Sequence, residues 1–258
     1  VFKLKNNTGQ RRNEILQMLA KQGKLSVAEL SERFNISEVT IRSDLSELEQ
    51  GGLLRRVHGG AVSSRVSYEM SLIDRMDTNK DAKMAIAKAC AGLISDGDSL
   101  MIDSGTTTQH LARELAERSN LTIVTNSILI AQEFILSRSI DVILLGGNMD
   151  AQHQFTFGND AVAQLSKYRV NKTIIATDGI CAKHGLTTYH HQELDVSRLM
   201  IERSNEVIVV ADSSKIGKEG FSNIVSASSI DVLVTNKCPE NSSQLTELRQ
   251  LGIKVLEA

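Results

Sequence analysis

The sequence predicts an α/β chain in two parts: a small head shaped as a winged helix-turn-helix, and a larger Rossmann-like domain on a parallel sheet. Three observations carry this. Between Val27 and Leu48 two helical patterns are separated only by a short break at Asn35-Ile36. From Lys80 onward short aliphatic runs alternate with helical stretches, the pattern of βαβ units whose sheet is covered on both faces. Between the two, residues 63–79 are Ser-rich, of mixed charge and poor in aliphatics. The expected division is therefore a head at 1–62, a linker at 63–79 and a second domain at 80–258.

In the head, residues 1–10 read as a polar, basic arm, and Arg11–Lys21 as a first helix with Ile15, Leu16 and Leu19 on one face. Lys24–Ser26 is a short link with strand character, and Val27–Phe34 is the second helix. Ser37 is placed to cap a third helix, whose Ile41, Leu45 and Leu48 fall at i, i+4 and i+7 and face a core. At about 100° per residue, Val39, Arg42, Ser43 and Ser46 then point away from that core, and Thr40 joins Ser37 as a further DNA-binding candidate. Short polar side chains and an Arg near a helix N-terminus suit a DNA major groove, where Arg pairs bidentately with guanine. Periodicity alone would equally fit a plain surface helix. The next residues decide between them: Gly51-Gly52 stops the helix, and Leu53–Val62 places Arg55, Arg56 and His58 on a strand-turn. That is a basic wing for phosphates.

Arg11, Ile15, Leu19, Ser37, Thr40-Ile41-Arg42, Asp44-Leu45, Arg56 and His58-Gly59-Gly60-Ala61 together resemble the N-terminus of DeoR/GlpR-type bacterial transcriptional regulators. The spacing from Arg11 through Leu45 matches that family's signature without gaps. Where many members carry a second basic residue after the helix Arg, this chain has Ser43.

Composition narrows the classes. The chain has 258 residues, 41 % apolar and 23 % charged, enough for a substantial core. Its net charge of −2 is unevenly spread. Residues 1–62 hold ten Lys/Arg against seven Asp/Glu, and the remainder nineteen against twenty-four. A mildly basic head on an acidic body confines DNA contact to the head. Cys90, Cys181 and Cys238 are far apart and lack zinc-ligand spacing, so neither a metal nor a disulfide framework is expected. No leader opens the sequence and no apolar run approaches the roughly twenty residues of a membrane span, so a cytoplasmic protein without membrane contact is expected. With no Trp and 3 % aromatics, no stacking platform for single strands is evident.

In the larger part, strands are expected at 99–102, 121–125, 141–145, 172–176, 206–211, 231–235 and 253–256, and helices at 81–94, 108–118, 128–136, 159–166, 193–201 and 243–250. Ligands of an open parallel sheet sit beyond the carboxyl ends of its strands. After Ile102 comes Asp103-Ser104-Gly105-Thr106-Thr107-Thr108, leading into a helix. Hydroxyls, backbone N–H groups and the positive dipole end make a phosphate cradle there, though Ser and Thr before a helix also serve as plain caps. The run is neither a Walker loop nor GxGxxG, so no nucleotide cofactor is expected. Thr125-Asn126-Ser127, Gly146-Gly147-Asn148, Thr177-Asp178-Gly179 and Asp212-Ser213-Ser214-Lys215 end four further strands. Any one could be an ordinary turn and Lys215 a solvated surface residue, but five polar strand ends on one edge would converge on one pocket, to which Lys215 would bring a cation.

These segments resemble the C-terminal sensor of the same family, which is similar to ribose-phosphate isomerase and aminosugar-phosphate deaminase folds. The resemblance implies that Asp103, Ser104, Gly105, Thr106, Thr107, Thr125, Asn126, Gly146, Gly147, Asp178, Gly179 and Lys215 line a sugar-phosphate effector site. In Tyr189–Leu194, Glu193 matches a family acid, and His190 stands where members commonly carry Asn. His190 and His191 lack a third ligand for a metal; they suit either proton transfer or plain polar contacts.

The first reading is a regulator, by the resemblance a repressor, that binds double-stranded operator DNA. A phosphorylated sugar or sugar alcohol would modulate it. One small head makes few contacts, so a homo-oligomer, dimer or tetramer, is expected. A second reading is a sugar-phosphate isomerase or deaminase with an added head, using Asp178, Glu193 and His190 as acid–base groups. A third is a DNA-binding protein whose larger domain takes no ligand.

Overall fold

The computed structural model describes residues 11, 12, 14–16, 18, 19, 24–50, 54–57, 59–63 and 72–258. The chain separates into two compact units, Val1–Met70 and Ser71–Ala258.

In the first unit, described residues between Arg11 and Leu19 are helical, followed by β1 (Lys24–Ser26) and the helix Val27–Phe34. A capping box starts that helix: Glu29 N donates to Ser26 Oγ (3.1 Å) and Ser26 N to Glu29 Oε2 (2.8 Å). Asn35, left-handed at φ 52°, ends it. Ser37 Oγ then accepts from Thr40 N (3.2 Å) at the start of the helix Glu38–Gln50. Ile15, Leu19, Leu30, Ile41, Leu45 and Leu48 close one core. Beneath it lies an ion pair the apolar pattern cannot show. Buried Asp44 takes Arg11 Nε at 2.6 Å and Arg12 Nε at 2.9 Å, fixing the first helix to the third. The wing is the hairpin β2 (Leu54–Val57) and β3 (Gly60–Ser63), with β1 as a third strand against β3. A Cβ on Gly60 would lie 2.2 Å from Leu25 O, so only glycine lets β1 approach. The Gly51-Gly52 stop and His58 lie outside the described residues.

The second unit opens with the helix Leu72–Asp77. This helix falls within the stretch read as a linker, where six residues are too few to display a helical period. Its sheet comprises β4 (Ser99–Ile102), β5 (Leu121–Thr125), β6 (Ile140–Leu144), β9 (Val170–Ala176), β12 (Ser204–Val210), β14 (Val232–Thr235) and β15 (Lys254–Glu257). All pairs are parallel, in the order β15-β14-β12-β9-β4-β5-β6. Side chains alternate between two cores: Leu100 and Ile102 face one, Met101 the other. Helices Lys80–Ala91, Thr106–Leu115 and Ile128–Glu133 cover the first face; Asn159–Leu165, Leu194–Glu202 and Ser242–Gln250 cover the second. Burial on both faces is why these strands read as continuous aliphatic runs.

Two antiparallel pieces depart from the expected alternation. One is the hairpin β7 (Asn148–Asp150) and β8 (Phe155–Phe157); the other is the sheet β10 (Gly179–Cys181), β11 (Gly185–Thr188) and β13 (Ser222–Val225). Strands of three or four residues are too short to show a period of two.

Candidate functional site

The sheet order determines where a ligand can enter. From β4 the chain runs outward through β5 to β6, then returns to β9 on the other side of β4 and continues outward to β15. The carboxyl ends of β4 and β9 therefore flank the switch point, where a crevice must open. A cleft of about 580 Å³, its mouth included, lies there. Asp103, Ser104, Gly105 and Thr106 line it after β4, Ser127 after β5, and Ala176, Thr177 and Asp178 after β9. The antiparallel pieces contribute His153, Phe155, Thr188 and Ile224; Glu193 and Ser197 come from the segment around Leu194–Glu202.

At its floor the helix Thr106–Leu115 begins without a side-chain cap, so the N–H groups of its first turn are directed outward. Gly105, at φ 149°, permits this: a Cβ there would stand 2.8 Å from Ala176 Cβ. Beside it, Ser104 Oγ donates to Glu193 Oε1, which also accepts from Asn126 Nδ2 (3.1 Å). Asp103 accepts from Ser104 N (2.9 Å) and Ser197 Oγ (3.3 Å). Burial first, and then the charge of Glu193, push the Asp103 carboxyl well above its usual range. Burial also raises Glu193, against its two hydrogen bonds and the charge of Arg75.

Asp178 behaves oppositely. Burial alone would raise it, but Arg75 and Lys215 hold it down at about 2. Arg75 Nη2 is 3.6 Å and Lys215 Nζ 3.9 Å from its Oδ1; Thr188 Oγ1 (3.1 Å) and Tyr189 N (3.0 Å) donate to its Oδ2. Burial lowers His190 to about 4, with Asp178 opposing and Arg75 adding to the shift. His190 is therefore neutral at pH 7. Arg75 Nη1 lies 3.0 Å from its Nε2; since Arg only donates, Nε2 accepts and the proton sits on Nδ1. The His153 ring packs against His190 with centroids 4.3 Å apart. His153 Nδ1 meets Asp150 Oδ1 at 3.2 Å, while its buried Nε2 has no hydrogen-bond partner among the described residues. A buried polar atom in that condition, in a residue lining a cleft, is what a ligand oxygen would satisfy.

The residues expected to converge do so in part. Asp103, Ser104, Gly105, Thr106, Asp178, His190 and Glu193 line the cleft. Asn126 supports it through Glu193, and Lys215 through Asp178. Thr107, Thr125, Gly146, Gly147 and Gly179 are not among its lining residues. Thr107 is buried in the first turn of the helix; Thr125 Oγ1 donates to Ile102 O (2.7 Å), tying β5 to β4. Gln164 Oε1 accepts from Gly146 N, and Gly147 fits against Phe157 and Ala161, closing that strand end off. Gly179 belongs to β10. Among residues the sequence reading missed, Arg75 lay in the supposed linker, and His153, Phe155 and Thr188 lay on or beside unrecognised short strands.

On the first unit, Ser37, Val39, Thr40, Arg42 and Ser43 are exposed at the start of the helix Glu38–Gln50, with Ser46 half-buried. Val39 is 73 % exposed. Arg42 Nη2 rests on Glu38 Oε2 (2.7 Å), a pair that water or a phosphate can open readily. On the wing strand Arg56 is exposed and Arg55 half-buried.

Residues 11–66 match the DeoR-like helix-turn-helix domain, and residues 78–237 match the DeoR C terminal sensor domain. The chain belongs to the DeoR family. It is 32 % identical over 253 residues to a putative aga operon transcriptional repressor of Escherichia coli O157:H7, covering 96 % of this chain and 93 % of that one. It is 34 % identical to the glycerol-3-phosphate regulon repressor of Escherichia coli K12 (89 % and 91 % covered), and 36 % to the transcriptional repressor AccR of Agrobacterium fabrum (90 % of each). Among solved structures, ribose 5-phosphate isomerase A of Methanocaldococcus jannaschii aligns over 54 % of this chain and 55 % of that one, at 18 % identity and a TM-score of 0.40, a level that decides nothing by itself. As a DeoR-family member the protein is a DNA-binding transcriptional regulator and not an enzyme, so the isomerase or deaminase reading is set aside. Among the described residues, no helix is long and apolar enough to cross a membrane.

Proposed function

We propose that this DeoR-family protein represses an operon for carbohydrate use and that a phosphorylated sugar or sugar alcohol, bound in the cleft between the ends of β4 and β9, releases it from DNA. One observation carries the effector assignment. An uncapped helix N-terminus, the Arg75 guanidinium and the unpartnered Nε2 of His153 belong to one cleft, beside carboxylates suited to hydroxyls. The phosphate would take the N–H groups at the helix start, around Gly105 and Thr106, and the positive end of the helix dipole. Asp103 and Glu193 would accept from sugar hydroxyls. The names of the relatives, an aga operon and a glycerol-3-phosphate regulon repressor among them, support the same class.

For the head, Ser37, Val39, Thr40, Arg42, Ser43 and Ser46 would enter the major groove, while Arg55, Arg56 and His58 contact phosphates. The exposed Val39 methyls suit a thymine methyl. We place the end of the DNA-reading part near Met70 and take the working form to be a cytoplasmic homo-oligomer, dimer or tetramer, so that several heads meet repeated half-sites. An effector shifts DNA affinity only through unequal affinity for two arrangements of the protein. Retardation of the DNA upstream of its own gene, with and without a panel of sugar phosphates and their unphosphorylated sugars, tests this. Release by a phosphorylated member and not by its parent sugar is the expected result. Retention under every sugar phosphate would leave the third reading, a DNA-binding protein whose larger domain takes no ligand.

A further inference from the structure

The helix Leu72–Asp77 stands at a special place in the chain: the first compact unit ends at Met70 and the second begins at Ser71. Charged and polar contacts tie this helix to the body of the second unit. Arg75 reaches His190 Nε2 (3.0 Å) and Asp178 Oδ1 (3.6 Å). Buried Lys83 donates its ammonium to the carbonyl oxygen of Arg75. Just beyond the helix, Asn79 Nδ2 donates to Asp212 Oδ1 (3.0 Å).

Two features make the Arg75 contact exchangeable. Asp178 keeps Lys215 Nζ, Thr188 Oγ1 and Tyr189 N if the guanidinium leaves, so its buried charge is never stranded. The Arg75 side chain lines the cleft and keeps 23 % of its surface exposed, so an anion can reach it. A guanidinium forms paired, charge-assisted bonds to a phosphate, stronger than its bond to a neutral imidazole.

We infer that Arg75 is the positioning residue through which an occupied cleft acts on the segment leading to the head: an anionic group in the cleft takes the guanidinium from His190 and Asp178, and the helix Leu72–Asp77 shifts with it. This rests on the reading of the cleft as an anion site. It assigns to one residue both the sensing of the anion and the first movement in response.

The test uses the full chain, labelled DNA from upstream of its gene and inorganic phosphate as probe, against chloride at equal ionic strength. In wild type, phosphate should raise amide hydrogen exchange across Leu72–Asp77 at least fivefold and weaken DNA binding. Arg75→Gln should abolish both responses, and Arg75→Lys should restore them at higher phosphate concentration, a rescue by charge that a merely structural role would not show. A ligand-free arm stands beside these. Asp178→Asn, which loosens one of the two Arg75 contacts, should raise exchange in the same helix and weaken DNA binding with no anion added. Phosphate that raises the melting temperature of wild type and Arg75→Gln alike, with exchange in Leu72–Asp77 unchanged, would keep the anion site and overturn the role of Arg75. Phosphate without effect on wild-type melting would instead remove the anion site, and unchanged exchange in Asp178→Asn would overturn the coupling on its own.

Discussion

Arg75 and His190 lie 115 positions apart in the chain, yet Nη1 of one is 3.0 Å from Nε2 of the other. A guanidinium donating to an imidazole requires the imidazole to be neutral, and burial keeps it so, with the His190 pKa lowered to about 4.

That pairing has a consequence for acid stability. The unfolded chain takes up a proton on His190 as pH falls through about 6.5, whereas the folded chain resists until about 4. Stability associated with this residue is therefore complete above pH 6.5 and declines between 6.5 and 4, by on the order of 3 kcal/mol. Asp103 and Glu193, whose carboxyls are raised, act in the opposite sense. The measurement is thus a difference: urea unfolding of wild type and His190→Gln from about pH 7 to about pH 4.5. The wild type should lose more stability over that range, and parallel curves would refute the assignment.

Gly105 has a φ of 149° and no room for a methyl group. Gly105→Ala should cost about 1–3 kcal/mol of stability in the second unit, by strain at the helix start. It should also remove thermal stabilisation by any sugar phosphate that stabilises wild type. Wild-type stability in urea together with an intact thermal shift would contradict both.

Buried Arg11 is held by Asp44, Nε to Oδ2 at 2.6 Å. Asp44→Ala strands that charge and should destabilise the head by roughly 3–5 kcal/mol. DNA retardation should be lost while the thermal response to a sugar phosphate is kept. Retained DNA binding would show that the ion pair is dispensable to the head.

Arg42 pairs with Glu38, one turn earlier on the same exposed face, which leaves its guanidinium at the surface. Arg42→Ala should cost about 1–3 kcal/mol of binding to the upstream DNA and little to unrelated duplex, if it reads a base. An equal loss on both would make Arg42 a phosphate contact.

Residue spacing accounts for both the legible and the hidden parts of the molecule. Ile41, Leu45 and Leu48 announced the third helix because one stripe of a 13-residue helix repeats often enough to be seen. Leu100-Met101-Ile102 and Val207–Val210 announced strands because both faces are buried. The Asp103–Thr106 half of the cleft was legible because a strand end runs directly into a helix start. Arg75 was not, since a six-residue helix in a Ser-rich stretch has no period and its partners are distant in sequence. His153 was hidden likewise, because Asn148-Met149-Asp150 is a polar strand without the aliphatic run that marks the others. Gly146-Gly147 shows the limit of composition: it suits a ligand loop, and what stands beside it, Gln164 and Phe157, comes from elsewhere in the sequence.

The most direct test of an effector cleft at the switch point is a crystal structure of the full chain grown with the sugar phosphate that releases it from DNA. Phosphorus density is expected over the start of the Thr106–Leu115 helix, its oxygens about 3 Å from the N–H group of Thr106 and reached by Arg75. A phosphate bound elsewhere, with the Arg75 contacts to Asp178 and His190 intact, would contradict it.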